Sequence, residues 1–246
     1  MEVLNKHVSI RKFKDKKVDR VLIESCIYSG TRASTTGNMQ LYSVITTEDK
    51  ERIRKLSPLH FNQTLLKSAP LLLTFVADFN RFSHWCEVSD AVPGYNNFLS
   101  FMNAAIDATL VAQNFCVAAE NNGLGICYLG TTIYNAREII QEFSLPKLTF
   151  PITTIAVGYP DEEPAKSDRI PLKGIIHYES YTDYNEETLK SLYSEKENLA
   201  SSKAFVKENN KKTLAQVFTD VRYKKADNEF FSDKMLEVLK EQGFVK

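Results

Sequence analysis

Neither sign of charge is in excess. The chain has 31 Lys and Arg against 31 Asp and Glu, so no global field draws it to nucleic acid or to an anionic membrane, and any anion must be met by a local cluster. Cysteine is scarce: Cys26, Cys86, Cys116 and Cys127 stand far apart with no C-x-x-C pair. That spacing argues against zinc, iron–sulfur and thioredoxin-type chemistry, and the four read as reduced thiols serving mostly as small core hydrophobes. No stretch approaches the roughly 18 apolar residues of a membrane span. The opening MEVLNKHVSIRKF also lacks the uninterrupted apolar core of a signal peptide. The expectation is a cytoplasmic protein with no membrane partner. Gly and Pro are not enriched, which sets aside disorder and collagen-like structure.

Several catalytic signatures are missing as well. Gly123-Leu124-Gly125 is not followed by a third glycine, and the residues after it read as a strand rather than a helix, so a Rossmann dinucleotide site is not expected. There is no Walker A loop, no G-x-S-x-G elbow and no H-E-x-x-H or similar ligand set. Hydrolase and metalloenzyme chemistry thus have no support.

What is present describes a folded chain of 246 residues, long enough for one domain with an appendage or for two domains. Asp19 can cap a helix whose Leu22, Ile23, Cys26 and Ile27 share one face. A small, polar, hydroxyl-lined loop follows at residues 31–38, then an alternating strand at 41–47. Pro70 precedes the run Leu71 to Ala77, apolar without alternation, as expected of a central strand covered on both faces. Residues 80–98 show no clear period and read as a loop. Residues 103–122 are apolar nearly all round and Ala-rich, predicting a buried helix that another helix can approach closely. A strand at 126–129 comes next, then a helix started by an Asn135/Glu138 capping box, then a buried strand bounded by Pro151 and Pro160.

Past Tyr184 the composition turns to Glu, Lys, Asn and Ser. This tail of about sixty residues has too few apolar residues to fold alone and is expected to wrap a neighbouring surface, which divides the chain into a main domain, 1–184, and a helical extension, 185–246. The basic stretch at 203–225 reads first as a solvated helix face.

The segment His7-Val8-Ser9-Ile10-Arg11, if extended, points three hydrogen-bonding side chains one way and Val8 with Ile10 toward the core, so one face can grip an anion. A surface strand with polar residues has the same pattern. Position along the chain adds weight. His7-Val8-Ser9-Ile10-Arg11-Lys12-Phe13, the Ser/Thr-rich loop at 34–40 ending in Gln40, Ala77-Asp78-Phe79-Asn80-Arg81, the Gln113-Asn114 helix, the turn at 123–130, and Lys166 with Arg169 before Ile170-Pro171 occur in order. In these motifs, over roughly residues 5–181, the chain resembles group A oxygen-insensitive nitroreductases and their flavin reductase relatives.

The resemblance implies an α+β nitroreductase fold: a central, mainly antiparallel sheet flanked by helices, with a C-terminal extension wrapping the partner of a homodimer. It implies FMN as cofactor, NAD(P)H as donor, and a ping-pong hydride transfer to nitroaromatics, quinones or flavins, in which no side-chain nucleophile is required. The alternative is a non-catalytic FMN-binding storage or sensor protein. His7, Ser9, Arg11 and Arg169 are candidates for the FMN phosphate, which buried Arg and hydroxyl donors hold by charge-assisted hydrogen bonds. Lys166 or Arg11 can face the ring where negative charge gathers on reduction. Tyr128, Leu129 and Gly130 lie at the strand end, where a residue without a side chain lets its N–H approach the ring; an ordinary glycine after a strand is the other reading. Ser34, Thr35 and Thr36 offer hydroxyls to ring or phosphate, unless their loop merely ends a helix. Asn62, or Gln63 beside it, takes a flavin contact, and His60, His84 and His177 are structural. Two departures stand out: the Lys166-to-Arg169 element is one residue longer than the family's, and Phe231-Ser232-Asp233 stands where relatives carry an Arg-Pro pair.

Overall fold

The computed structural model describes residues 1–246 and divides them into two compact units: residues 1–165 with 233–246, and residues 166–232. The boundary expected at 184/185 falls inside the second unit.

The first unit is of mixed α+β class. Strands β1 (Tyr42–Thr47), β2 (Leu71–Asp78), β3 (Gly125–Leu129) and β4 (Thr149–Gly158) form one sheet in the order β1-β2-β4-β3, with every neighbouring pair antiparallel. All eight residues of β2 are buried, as its unbroken apolar run predicts. Alternate side chains leave a strand on opposite faces. Leu71, Leu73 and Phe75 accordingly enter one cluster with Val111 and Phe115, while Leu72 joins Ile53, Leu56 and Leu66 in another. Pro151 lies inside β4 rather than at its border. The β2–β4 register slips there, Phe75 pairing with Thr153 and Val76 with Pro151, and such a bulge spares the ladder the N–H that proline lacks.

Helices cover both faces. Asp19 caps α2 (Arg20–Gly30) by accepting the Val21 N–H at 2.7 Å, and Ile23 and Cys26 are buried. Across from it lies α5 (Phe98–Asn121), whose Ala104, Ala108, Ala112 and Ala119 are fully buried. The two helices meet closely where α2 ends, since a Cβ on Gly30 would come within 3.0 Å of the Val111 carbonyl. Burial of α5 is one-sided, however. Leu99 (71% exposed), Met102, Ile106 (50%) and Leu110 face outward; apolar composition registers a surface that needs cover without saying whether the same chain supplies it.

Other segments depart from expectation. Residues 2–6 form a short helix α1 (Glu2–Lys6), and α3 (Lys50–Leu56) follows β1. The region read as a loop contains α4 (Asn80–Val88). Asp78 starts it by accepting the Arg81 N–H at 3.1 Å, and Phe79 stacks on Tyr95 at 4.7 Å, so tertiary aromatic contacts stand in for the missing period. The Asn135/Glu138 capping box does not form before α6 (Ala136–Phe143). A tight turn at Ile133–Asn135 precedes that helix; Asn135 instead donates to the Leu59 carbonyl at 2.7 Å, and Glu138 pairs with Lys234 at 2.9 Å.

The second unit contains α7 (Glu186–Asn198), α8 (Ala200–Glu208) and α9 (Leu214–Val217), with Leu192, Leu214 and Val217 buried. The end of the tail lies elsewhere. The last turns of α10 (Lys225–Glu241) and the residues after it belong to the first unit, where Val238, Leu239 and Phe244 are buried with Phe101 and Phe150. No helix is long and apolar enough to cross a membrane.

Candidate active site

Residues 7–13 run beside β3 without forming a strand. The Ile10 N–H donates to the Ile126 carbonyl at 2.9 Å, and Phe13 bridges to Pro160. Gly125 makes this approach possible, because a Cβ there would lie 2.7 Å from the Ile10 side chain. Ile10 is buried with the half-buried Val8 packed in the same cluster, His7 and Ser9 are half-buried as well, and Arg11 is exposed, so the alternation that the residue types predict is sharp only from Ile10 to Arg11. A carboxylate clips the segment from behind: Glu162 accepts the N–H groups of Arg11 and Lys12, the latter at 3.0 Å. The Arg11 N–H, then that of Lys12, holds the Glu162 carboxyl below its ordinary range.

Helix α5 supplies three further anchors. Glu120 Oε1 lies 2.6 Å from His7 Nδ1. Gln113 Oε1 accepts the Tyr128 hydroxyl at 3.3 Å, and burial holds the Tyr128 phenol above its ordinary range. Asp107, 1% exposed, accepts four hydrogen bonds from the Ser/Thr-rich loop: the Thr35 hydroxyl, the Thr36 N–H at 2.9 Å, the Thr36 hydroxyl at 3.0 Å and the Leu41 N–H at 3.2 Å. No ion pair accompanies it, so neutral donors alone compensate the carboxylate. The clamp holds Gly37, Asn38 and Gln40 at positive φ, a conformation costly for the two non-glycine residues. Arg81, from the Ala77-to-Arg81 motif, secures the end of the loop by donating to the carbonyls of Gln40 and Tyr42.

Sorting the expected residues by what they already bind separates two groups. The hydroxyl protons of Thr35 and Thr36 are spent on Asp107; Ser34 beside them is exposed and forms no hydrogen bond. Asn62 is exposed, sits at φ 53° and bonds back to Ser57, while Gln63 gives its amide to Thr131 at 3.3 Å. Leu129 is fully buried. A Cβ on Gly130 would meet nothing within 4 Å, so the end of β3 is open to close approach. His60 is structural as expected: 1% exposed, bonded through Nδ1 to Thr131 at 3.0 Å and held down to about 4 by burial. Lys166 and Arg169 lie in the second unit. Lys166 is exposed without a partner, and Arg169 donates to the carbonyls of Ser167 and Asp168 at 3.4 and 2.9 Å.

A nucleotide phosphate requires cationic and hydroxyl donors that are not already engaged. The Ser9 hydroxyl and the Arg11 guanidinium meet that requirement, since neither forms a hydrogen bond or ion pair within the chain. The donor set on this segment fits FMN. Asp107, Glu120 and Glu162 escape a motif-based reading because they touch the candidate residues from distant positions. Asp107 leaves the clearer signal, as an acid within the apolar, Ala-rich stretch of α5, whereas Glu120 stands in the last turn of that helix.

The chain matches the Nitroreductase family model over residues 4–159. A crystal structure from Bacteroides fragilis NCTC 9343 is 54% identical and superposes with a TM-score of 0.99, covering 100% of both chains. The NADPH-dependent oxidoreductase of Staphylococcus epidermidis is 32% identical over 100% of this chain and 97% of its own length. An NAD(P)H FMN reductase of Bacillus subtilis (strain 168) is 35% identical over 187 residues, 75% of each chain. With the sheet, the open end of β3 and the unspent donors on the segment along its start, these likenesses define an enzyme of oxidoreductase type. The chain belongs to the nitroreductase family.

Proposed function

We propose that this chain is an FMN-dependent, NAD(P)H-using oxidoreductase that reduces small planar acceptors such as nitroaromatics, quinones or free flavins, and that it works as a homodimer in the cytoplasm. The observation carrying the cofactor assignment is the unspent pair of donors, Ser9 and Arg11, on a segment tied to the first residues of β3, the strand whose far end is the open Gly130. When bound, FMN supplies a two-electron carrier that takes hydride from NAD(P)H and delivers it to the acceptor in a separate encounter.

The chain's own residues bind and orient. His7, Ser9 and Arg11 hold the phosphate by charge-assisted hydrogen bonds. Gly130 leaves the backbone at the end of β3 within reach of the ring. Thr35 and Thr36 act through the shape of their loop, their protons being held by Asp107, while Ser34 keeps a free hydroxyl. Nothing in this scheme needs a nucleophile, because position and electrostatics are what the protein contributes.

The dimer reading rests on the outward stripe of Leu99, Met102, Ile106 and Leu110 along α5. Their spacing keeps them on one side of the helix, where a second copy removes them from water. Leu172, Tyr178 and Tyr181 in the second unit are exposed as well, and an extension that embraces the partner covers such area. Four free, buried cysteines suit a reducing compartment.

The test is anaerobic: the FMN-reconstituted chain is mixed with NADPH or NADH and the flavin absorbance is followed, then a quinone or nitroaromatic is added. Bleaching followed by recovery is the expected result. A holoprotein that stays oxidised would point to the storage or sensor protein, and a chain that takes up no FMN would overturn the cofactor assignment.

A further inference from the structure

The His7–Glu120 pair joins the opening segment to the last turn of α5 at 2.6 Å across 113 residues of sequence. The His7 side chain is 33% exposed and that of Glu120 is 13% exposed, so the carboxylate is the more enclosed member and the imidazole the one that meets solvent. Both line a cavity of about 430 Å³ that also takes in Glu2 and Lys6 of α1; those two pair with each other at 2.5 Å. Only Nδ1 of the imidazole is occupied. Nε2 forms no hydrogen bond in the chain.

An imidazole has two chemically distinct nitrogens, and the partner of one decides what the other can offer. With Glu120 accepting at Nδ1, the ring keeps its proton there and Nε2 becomes the atom available to a ligand. A phosphate presents acceptors, which an N–H at Nε2 meets. The pairing thus fixes the orientation of the ring and which nitrogen it offers.

We propose that Glu120 is a positioning residue for the phosphate site, holding His7 so that Nε2–H is presented to the anion beside Ser9 and Arg11. The inference rests on the FMN reading above and adds that part of the phosphate selectivity resides in a carboxylate of α5 that does not itself contact the ligand. A carboxylate placed behind a phosphate-binding imidazole supports the site, because its hydrogen bond to Nδ1 holds the ring in place.

The test compares two probes that differ only in the phosphate, FMN and riboflavin, by equilibrium titration of the full chain stripped of flavin. Glu120→Gln keeps the shape and an acceptor but removes the charge. It is expected to weaken FMN by about tenfold, the scale of one charged hydrogen bond, and to leave riboflavin within about twofold. His7→Gln should do the same, and the double variant should bind FMN no worse than His7→Gln alone, since coupled groups are not additive. Equal losses for FMN and riboflavin would make Glu120 a general support and overturn the proposal, as would additive losses in the double variant or an unchanged FMN affinity. A wild-type chain that binds FMN no more tightly than riboflavin would refute the cofactor reading itself, a separate failure from that of Glu120.

Discussion

Replacing Asp107 with asparagine tests the clamp that shapes the Ser/Thr-rich loop. The substitution conserves volume and shape almost entirely, so what it probes is hydrogen-bond polarity. One carboxylate oxygen accepts from the Thr36 N–H and hydroxyl, the other from the Thr35 hydroxyl and the Leu41 N–H. Asparagine turns one of these oxygens into an NH2 group. Either orientation sets a donor against a backbone N–H, Thr36 in one case and Leu41 in the other, and a backbone N–H cannot turn round. A threonine hydroxyl can rotate to accept, although the Thr35 oxygen already accepts the Gln40 N–H at 2.9 Å.

One buried donor left unsatisfied costs about 1–3 kcal/mol, and the surviving bonds lose their charge assistance. A net loss of about 2–3 kcal/mol corresponds, for a chain of this size, to a Tm lower by roughly 4–12 °C. Calorimetry measures the shift, with Asp233→Asn at an exposed position as the control. Amide exchange locates it, and Thr36 and Leu41 should lose protection first. A Tm within about 1 °C of wild type, with those amides still protected, would refute the clamp, since such a shift amounts to well under 1 kcal/mol.

Two more outcomes follow from groups that titrate. His60 is held down to about 4 by burial, against 6.5 when unperturbed; between those values the unfolded chain binds a proton that the folded chain does not. Stability is therefore complete above pH 6.5 and falls as the pH drops toward 4, by up to about 3 kcal/mol. Urea unfolding at pH 7, 5.5 and 4.5 should show that slope in wild type and a shallower one in His60→Gln, and parallel slopes would count against it. Glu162, held low by the N–H groups of Arg11 and Lys12, contributes stability above its unfolded pKa and loses it as the pH falls through the folded value. At neutral pH, Glu162→Ala should speed exchange at those two amides by about tenfold or more while β2 stays protected. Unchanged exchange there means the clip is not holding the segment.

The regular elements were legible because their signals are local. The unbroken apolar run of β2, the Asp19 cap of α2 and the small residues of α5 each state a physical requirement within a dozen residues, and the structure meets each one. Legibility failed where the deciding contact came from far along the chain. α4 is held by Asp78 and by the Phe79–Tyr95 stack rather than by a period of its own. The Asn135/Glu138 pair has the spacing of a capping box, yet Lys234, about a hundred residues later, takes both side chains. Val238, Leu239 and Phe244 are few and widely spaced in a polar tail, but burial against Phe101 and Phe150 gives them a place in the core.

The candidate site divides along the same line. The sequence by itself determined which residues could meet an anion and in what rhythm, because alternation in His7-Val8-Ser9-Ile10-Arg11 follows from the geometry of an extended backbone. Only the tertiary structure decided which of those donors are still free. Asp107 takes the protons of Thr35 and Thr36, Glu120 takes one nitrogen of His7 and Glu162 takes two backbone N–H groups, leaving the side chains of Ser9 and Arg11 unspent. Hydrogen bonding acts over about three ångströms whatever the separation along the chain, so where a proton goes is settled by the fold.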